Sequence, residues 1–259
     1  MTVLTGAFIF VIGAIFGSFL NVCIHRIPKE ESIVSPPSHC PGCRQGIAWS
    51  DNVPLASFLF LRGKCRNCGI KIPARYFFVE LLSAGFWLGL WQLYGLSGFF
   101  AAGVVLFSIL TVVSATDLET GFIPDKLTFP GMAVGLGLSA IFPALQRESV
   151  WYWGGVQSLL GLAAGGGLLL AIGIFGTWVF KKESMGGGDI KLIAMLGAFL
   201  GIEKALLVFL FAPFMAIPFA LYMKFAHKAE TIPFGPFLAL AGALLFVYGD
   251  WIGKTLFYF

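Results

Sequence analysis

The chain has 259 residues, of which 58% are hydrophobic and only 12% charged, with a net charge of +4. A soluble domain carries about a quarter of its residues charged, so this composition excludes a water-soluble globule and implies a polytopic membrane protein. The positive balance reports topology and anionic lipid and does not suggest a nucleic-acid partner.

An apolar run of about 18 residues crosses a bilayer core about 30 Å thick. Eight spans are predicted, at 4–24, 76–94, 98–116, 126–144, 153–179, 189–202, 204–223 and 233–257. No positive segment precedes the first and no small-residue cleavage site follows it, so it is expected to stay as a span and not act as a signal peptide. Cys23, inside it, reads as packing.

Residues 28–75 form the one long polar segment. It contains CPGC and KCRNC, that is Cys40 with Cys43 and Cys65 with Cys68. Two such knuckles at this separation fit a tetrathiolate zinc site, closed and therefore structural. The competing pattern is two disulfides, which a reducing cytosol disfavours. His39 adjoins Cys40, but four cysteines already suffice. A segment this small has little core, so bound metal is expected to supply much of its folding energy.

Most of the thirteen acidic residues lie in connections and need only solvation, among them Glu30, Glu31, Asp51, Glu119, Glu148, Glu183, Glu203 and Glu230. Glu80 opens the second span, where the positive helix end accommodates an acid. Asp117 ends the third span in ATDLETGFIPD, and Asp125 starts the fourth as a helix cap. In the fifth span, Gly165-Gly166-Gly167 reads as a helix-packing surface. The triplet Gly186-Gly187-Gly188 then delivers Asp189 to the sixth, bending the backbone and clearing room for an extended substrate. Gly201 to Lys204 reads as a tight turn or a kink, and Asp250 with Lys254 as a local ion pair.

Asp117 and Asp189 have no local structural reason to sit at a membrane edge. Two carboxylates brought together share one proton: the charged member activates water and the neutral one protonates a departing nitrogen. That is the division of labour peptide hydrolysis requires. Eight spans place fourteen of the seventeen lysines and arginines on one side, including Arg26, Arg44, Lys126, Lys182, Lys191 and Lys228. By the excess of basic residues that side is cytoplasmic, both termini face outward, and the cysteine segment and both aspartates lie at the inner face.

GSFLNVCIHRIP at 17–28, the paired knuckles, IKIPARYFFVE at 70–80, ATDLETGFIPD and GGGDIKL follow in one order. In these motifs the chain resembles the bacterial type IV prepilin peptidases, with the GxGD signature also found in presenilin-like intramembrane aspartic proteases. The resemblance implies an inner-membrane enzyme that cuts the leader of type IV prepilins and pseudopilins after a glycine. It implies Asp117 and Asp189 as the catalytic pair, with Asp125 and the three glycines supporting. It also implies methylation of the new N-terminus with S-adenosylmethionine, a zinc-binding cysteine loop, and a division into 1–27, 28–75 and a peptidase core at 76–259. A secondary transporter and a zinc-dependent membrane scaffold are the readings from other classes. The first expects acids near the midplane, and the second leaves the aspartates idle. With no HExxH, a zinc metalloprotease has no motif to rest on.

Overall fold

The computed structural model describes residues 2–181, 185–227 and 232–257. Lys182, Glu183, Lys228 and Glu230 lie outside them. The described residues are mostly helical and contain no strand, only isolated bridges, with turns and irregular backbone over most of 30–74. In chain order the helices are α1 (Thr2–Arg26), α2 (Ala56–Phe60), α3 (Arg75–Tyr94), α4 (Gly98–Thr120), α5 (Asp125–Ile141), α6 (Trp151–Phe180), α7 (Gly187–His227) and α8 (Gly235–Phe257). Six of them, all but α2 and α5, are long and apolar enough to cross a membrane. This is an all-α, multi-pass membrane protein.

The chain forms two compact units, 1–112 and 113–259. In the first, α1 packs on α3 through small residues. A Cβ at Gly13 would come within 2.9 Å of Ala84 Cα, and one at Gly17 within 2.7 Å of Glu80 Cα. With so little apolar contrast between protein and lipid, close backbone approach is what holds such a pair. Ser83 Oγ adds a 2.8 Å bond to Gly13 O. Glu80 is not in the first turn of α3 as expected; it is buried, and its Oε2 accepts the Leu55 N–H at 2.7 Å. The polar segment docks on α3 through that bond and has claimed the carboxylate.

In the second unit the expected turn-or-kink proves to be a reversal. Gly201 has φ 78° and ψ 176°, which interrupts α7. A Cβ on Gly165 would meet both Ile193 O at 2.9 Å and Ala205 Cβ at 3.6 Å. In a straight helix those two residues stand about 18 Å apart. The arms on either side of Gly201 therefore fold back on one another beside α6. The crossing is close enough that Gly161 and Gly197 meet backbone to backbone. Of the Gly165–Gly167 run, the first two glycines pack against α7 and the third faces open space.

Carbonyls that lose their helical donors at such a break need others. Ser158 Oγ and Ser139 Oγ both donate to Ala198 O, at 2.5 and 3.2 Å, and Gln146 Nε2 donates to Phe199 O at 3.2 Å. Beyond the turn, Asp250 does not take Lys254. Its Oδ1 accepts from Arg147 at 2.6 Å and from the buried Lys204 at 2.8 Å. The fold lays the Lys204 stem against Gly249, and that tertiary contact outcompetes a partner one turn away. Glu203, expected to be merely solvated, pairs with Arg147 at 2.9 Å.

Candidate active site

Asp117, three residues before the end of α4, is buried. Its Oδ2 accepts the Gly235 N–H at 2.9 Å, the first amide of α8. Free amides at a helix start favour an acceptor of this kind. A Cβ on Gly235 would lie 2.8 Å from the same oxygen and 3.1 Å from Ile123 Cδ1. Ile123 is itself buried, and its Cβ stands 2.8 Å from where a Gly188 Cβ would be. One isoleucine thus touches the glycine that holds Asp117 and the glycine that precedes Asp189. The two carboxylates, separated by 72 positions in the sequence, share one neighbourhood.

The glycine triplet does not work quite as expected. None of its members has a left-handed φ, and Gly187 and Gly188 already belong to α7. What they provide is room. A Cβ at 186 would stand 3.1 Å from Asp189 Oδ2 and one at 188 would press on Ile123, while Gly187 has nothing within 4 Å.

Asp125 is not a side-chain cap. Pro124 occupies the cap position in extended conformation, with no side-chain bond into α5. The Asp125 carboxylate instead accepts twice from Lys191 Nζ, at 2.7 and 2.8 Å, and that ammonium lies 5.4 Å from the Phe129 ring centre. The pair ties the first turn of α5 to the first turn of α7, two residues beyond Asp189. Sequence reading missed Ile123, Lys191 and Gly235. For Gly235 the available signal was PFGP at 233–236, a glycine between prolines opening an apolar run.

The four cysteines converge in the first unit. Their sulfurs all lie within 4.8 Å of one another, and Cys40 Sγ stands 3.7 Å from Cys68 Sγ. A disulfide needs about 2.05 Å, whereas tetrahedral Zn–S bonds of about 2.3 Å put sulfurs about 3.8 Å apart. All five cysteines of the chain are free thiols, so the structure does not support the paired-disulfide alternative, and the four sulfurs are placed as a cluster that could hold a metal. The two knuckles repeat one backbone design. Cys40 N–H donates to Gln45 O and Cys65 N–H to Ile70 O; Arg44 N–H donates to Cys40 O and Gly69 N–H to Cys65 O. Arg44 and Gly69 share the left-handed position, at φ 58° and 70°. The Cys43 and Gly42 amides, partly offset by burial, bring the Cys40 thiol down to about 6, which favours the thiolate a metal binds. His39 stays outside the cluster, its Nδ1 3.2 Å from Pro37 O. Asp51, expected to be only solvated, grips Arg66 through both oxygens, at 2.6 to 3.0 Å.

Residues 11–94 match the Bacterial Peptidase A24 N-terminal domain, and residues 104–221 match the Type IV leader peptidase family. A prepilin leader peptidase/N-methyltransferase of Myxococcus xanthus (strain DK1622) is 38% identical over 98% of this chain and 93% of its own length. One from Burkholderia pseudomallei (strain 1026b) is 35% identical over 94% and 85%, and one from Klebsiella pneumoniae 39% over 76% and 86%. No solved structure matches. The two family models fall on the cysteine-bearing and aspartate-bearing parts in turn, and the relatives align across most of the chain: it belongs to the type IV leader peptidase family.

Proposed function

We propose that this chain cuts the leader from type IV prepilins and pseudopilins with Asp117 and Asp189, and then methylates the amine that the cut exposes. The observation that carries the reading is the convergence of Asp117, Gly235, Ile123 and Gly188-Asp189 in one neighbourhood. In hydrolysis, a water oxygen attacks the carbonyl carbon of the glycine before the scissile bond. One carboxylate takes a proton from that water while the other carboxyl gives its proton to the departing nitrogen. The C–N bond breaks, leaving a leader with a new carboxylate and a mature chain with a new amine. Gly186, Gly187 and Gly188 leave the approach to Asp189 free of side chains, and Asp125 steadies that turn through Lys191.

The methyl donor is S-adenosylmethionine: the amine nitrogen bonds to the methyl carbon, the sulfonium bond breaks, and a proton leaves. The A24 N-terminal part, 11–94, is where we assign that second reaction. Zinc is the metal that suits the cysteine cluster; Cys40, Cys43, Cys65 and Cys68 would hold it, and four thiolates would give it a structural role. It organises the 28–75 module.

The enzyme resides in the bacterial inner membrane. The reversal at Gly201 and the 17-residue α5 support eight crossings in place of six. With eight, the excess of basic residues puts the cysteine module and both aspartates at the cytoplasmic face. Neither a transporter nor a scaffold gains support from the family match. Purified protein incubated with a prepilin-like peptide and methyl-labelled S-adenosylmethionine tests the reading: cleavage at the leader boundary and label on the new N-terminus are expected. An uncut peptide in active lipid would remove the peptidase assignment.

A further inference from the structure

Among the apolar side chains that the cysteine module leaves exposed, three large ones lie on α2 and on the turn that adjoins it, uncovered by any described residue. Trp49 is 86% exposed, Leu59 63% and Phe60 86%. Trp49 begins the 3₁₀ turn Trp49–Asn52, which adjoins α2: Ser57 Oγ donates to Ser50 O at 3.2 Å. Leu59 and Phe60 are the last two residues of α2. Isolated exposed apolar residues need no explanation, but a cluster of this size on a small polar module does.

The level at which α2 docks supplies one. Leu55, just before α2, gives its N–H to Glu80, and the Phe58 ring lies 5.4 Å from that of Phe77. Phe77 and Glu80 belong to α3, which begins at Arg75 and is apolar and long enough to span the bilayer. At 1.5 Å per residue, those contacts fall about 3 to 8 Å inward from Arg75. Amphipathic helices lie about 5 to 10 Å into the boundary between headgroups and acyl chains, so α2 sits at the depth where lipid replaces water. Its protein-facing side is satisfied by Phe77 and by Gly63, which packs on the Phe58 ring. Immediately after α2 come Arg62 and the exposed Lys64, cations suited to phosphate at the same level. Tryptophan and phenylalanine inside, basic residues at the rim, is the ordering of an interfacial anchor.

We propose that Trp49, Leu59 and Phe60 form a membrane-insertion surface, by which the cysteine module lies in the headgroup boundary of an anionic bilayer instead of projecting into water. The module is then fixed by two elements, the α3 contacts and the lipid itself.

Full-length protein in vesicles of phosphatidylethanolamine and phosphatidylglycerol tests this. The fluorescence removed by Trp49→Phe isolates Trp49 among the seven tryptophans. That component should lose about half its intensity to lipids brominated near the headgroup and be little affected by aqueous iodide. Tryptic cutting at Arg62 and Lys64 should rise about tenfold in the Leu59→Ser, Phe60→Ser double variant, with leader cleavage in detergent as the folding control. Phosphatidylcholine vesicles should weaken the lipid quenching, and Arg62→Gln should remove that dependence on anionic lipid. Quenching by iodide alone overturns the proposal. So does protection from both quenchers that grows with protein-to-lipid ratio, because a second copy would then be covering the face.

Discussion

The cysteine module and the aspartate site are built on opposite plans. In the module, function is local: each knuckle closes its own turn with the same pair of backbone bonds, and only the docking of one knuckle on the other is long-range. In the aspartate site the key groups come from four separate stretches of the chain and meet only in the fold. Asp117 ends α4, Ile123 sits in the following loop, Gly188 and Asp189 start α7, and Gly235 starts α8. The module gathers four sulfur donors at one point. The aspartate site devotes its geometry to bringing two carboxyl groups into one neighbourhood. The first plan can be read from spacing. The second is assembled by helix packing and leaves only faint traces in the chain.

The most severe way to test the difference is to remove a carboxylate. Asp117→Asn and Asp189→Asn each keep size and hydrogen-bonding capacity but cannot exchange a proton. Each should reduce leader cleavage by about 10³-fold or more, with the protein still folded in the membrane and the cysteine module intact. Residual cleavage near the wild-type rate in either purified variant would exclude that residue from the catalytic pair. The module counterpart is Cys40→Ser, or removal of metal by a chelator. One missing thiolate opens the coordination sphere, and a domain with little core follows its metal. Metal analysis should fall from about one zinc per chain to none, residues 28–75 should become protease-sensitive, and methyl transfer should be lost while helix content stays. A folded, protected module with no metal would show that the sulfurs converge for another reason.

What could be read in advance follows the same division. Cys40-x2-Cys43 and Cys65-x2-Cys68 announce themselves because ligand spacing is set by local turn geometry. The apolar runs were legible as helices because lipid demands an unbroken apolar length, and each of the eight falls on helix, the sixth and seventh on the two arms of α7. Asp117 and Asp189 stood out because a membrane edge gives a carboxylate few structural excuses. Their surroundings were hidden, since Ile123 looks like any apolar residue and Gly235 like any helix start. The misreadings share a cause as well. Sequence alone matches Asp125 to its own helix, Asp250 to Lys254 and Glu80 to the macrodipole, all partners within a turn. The fold gives them Lys191, Lys204 with Arg147, and the Leu55 amide. Tertiary partners win here because packing brings them into contact, whether the carboxylate is buried, as at Glu80, or still partly solvated, as at Asp125 and Asp250.

A subtler test addresses the spacing of the aspartates. Gly235→Ala keeps the amide that bonds Asp117 but places a methyl 2.8 Å from its oxygen and 3.1 Å from Ile123. The carboxylate must shift by a few tenths of an ångström. Displacements toward 1 Å cost about 10²-fold, so a drop of about 10- to 100-fold in kcat is expected, with KM nearly unchanged. Equal losses in both parameters would mean that the glycine serves substrate binding and not Asp117.

The smallest effect belongs to Asp125. Its pair with Lys191 has good geometry but is partly solvated, the side chains being 49% and 35% exposed. Exposed pairs contribute about 0.2 to 1 kcal/mol, and the aromatic face of Phe129 still offers the ammonium an attractive site once the carboxylate is gone. Asp125→Asn should therefore slow cleavage by less than about tenfold. Lys191→Met should do about as much, and the double variant little more than either, since both act through one contact. If Asp125→Asn alone abolished cleavage while Lys191→Met did not, the carboxylate would have a task beyond the ion pair, and three acids in place of two would have to be placed on the reacting peptide.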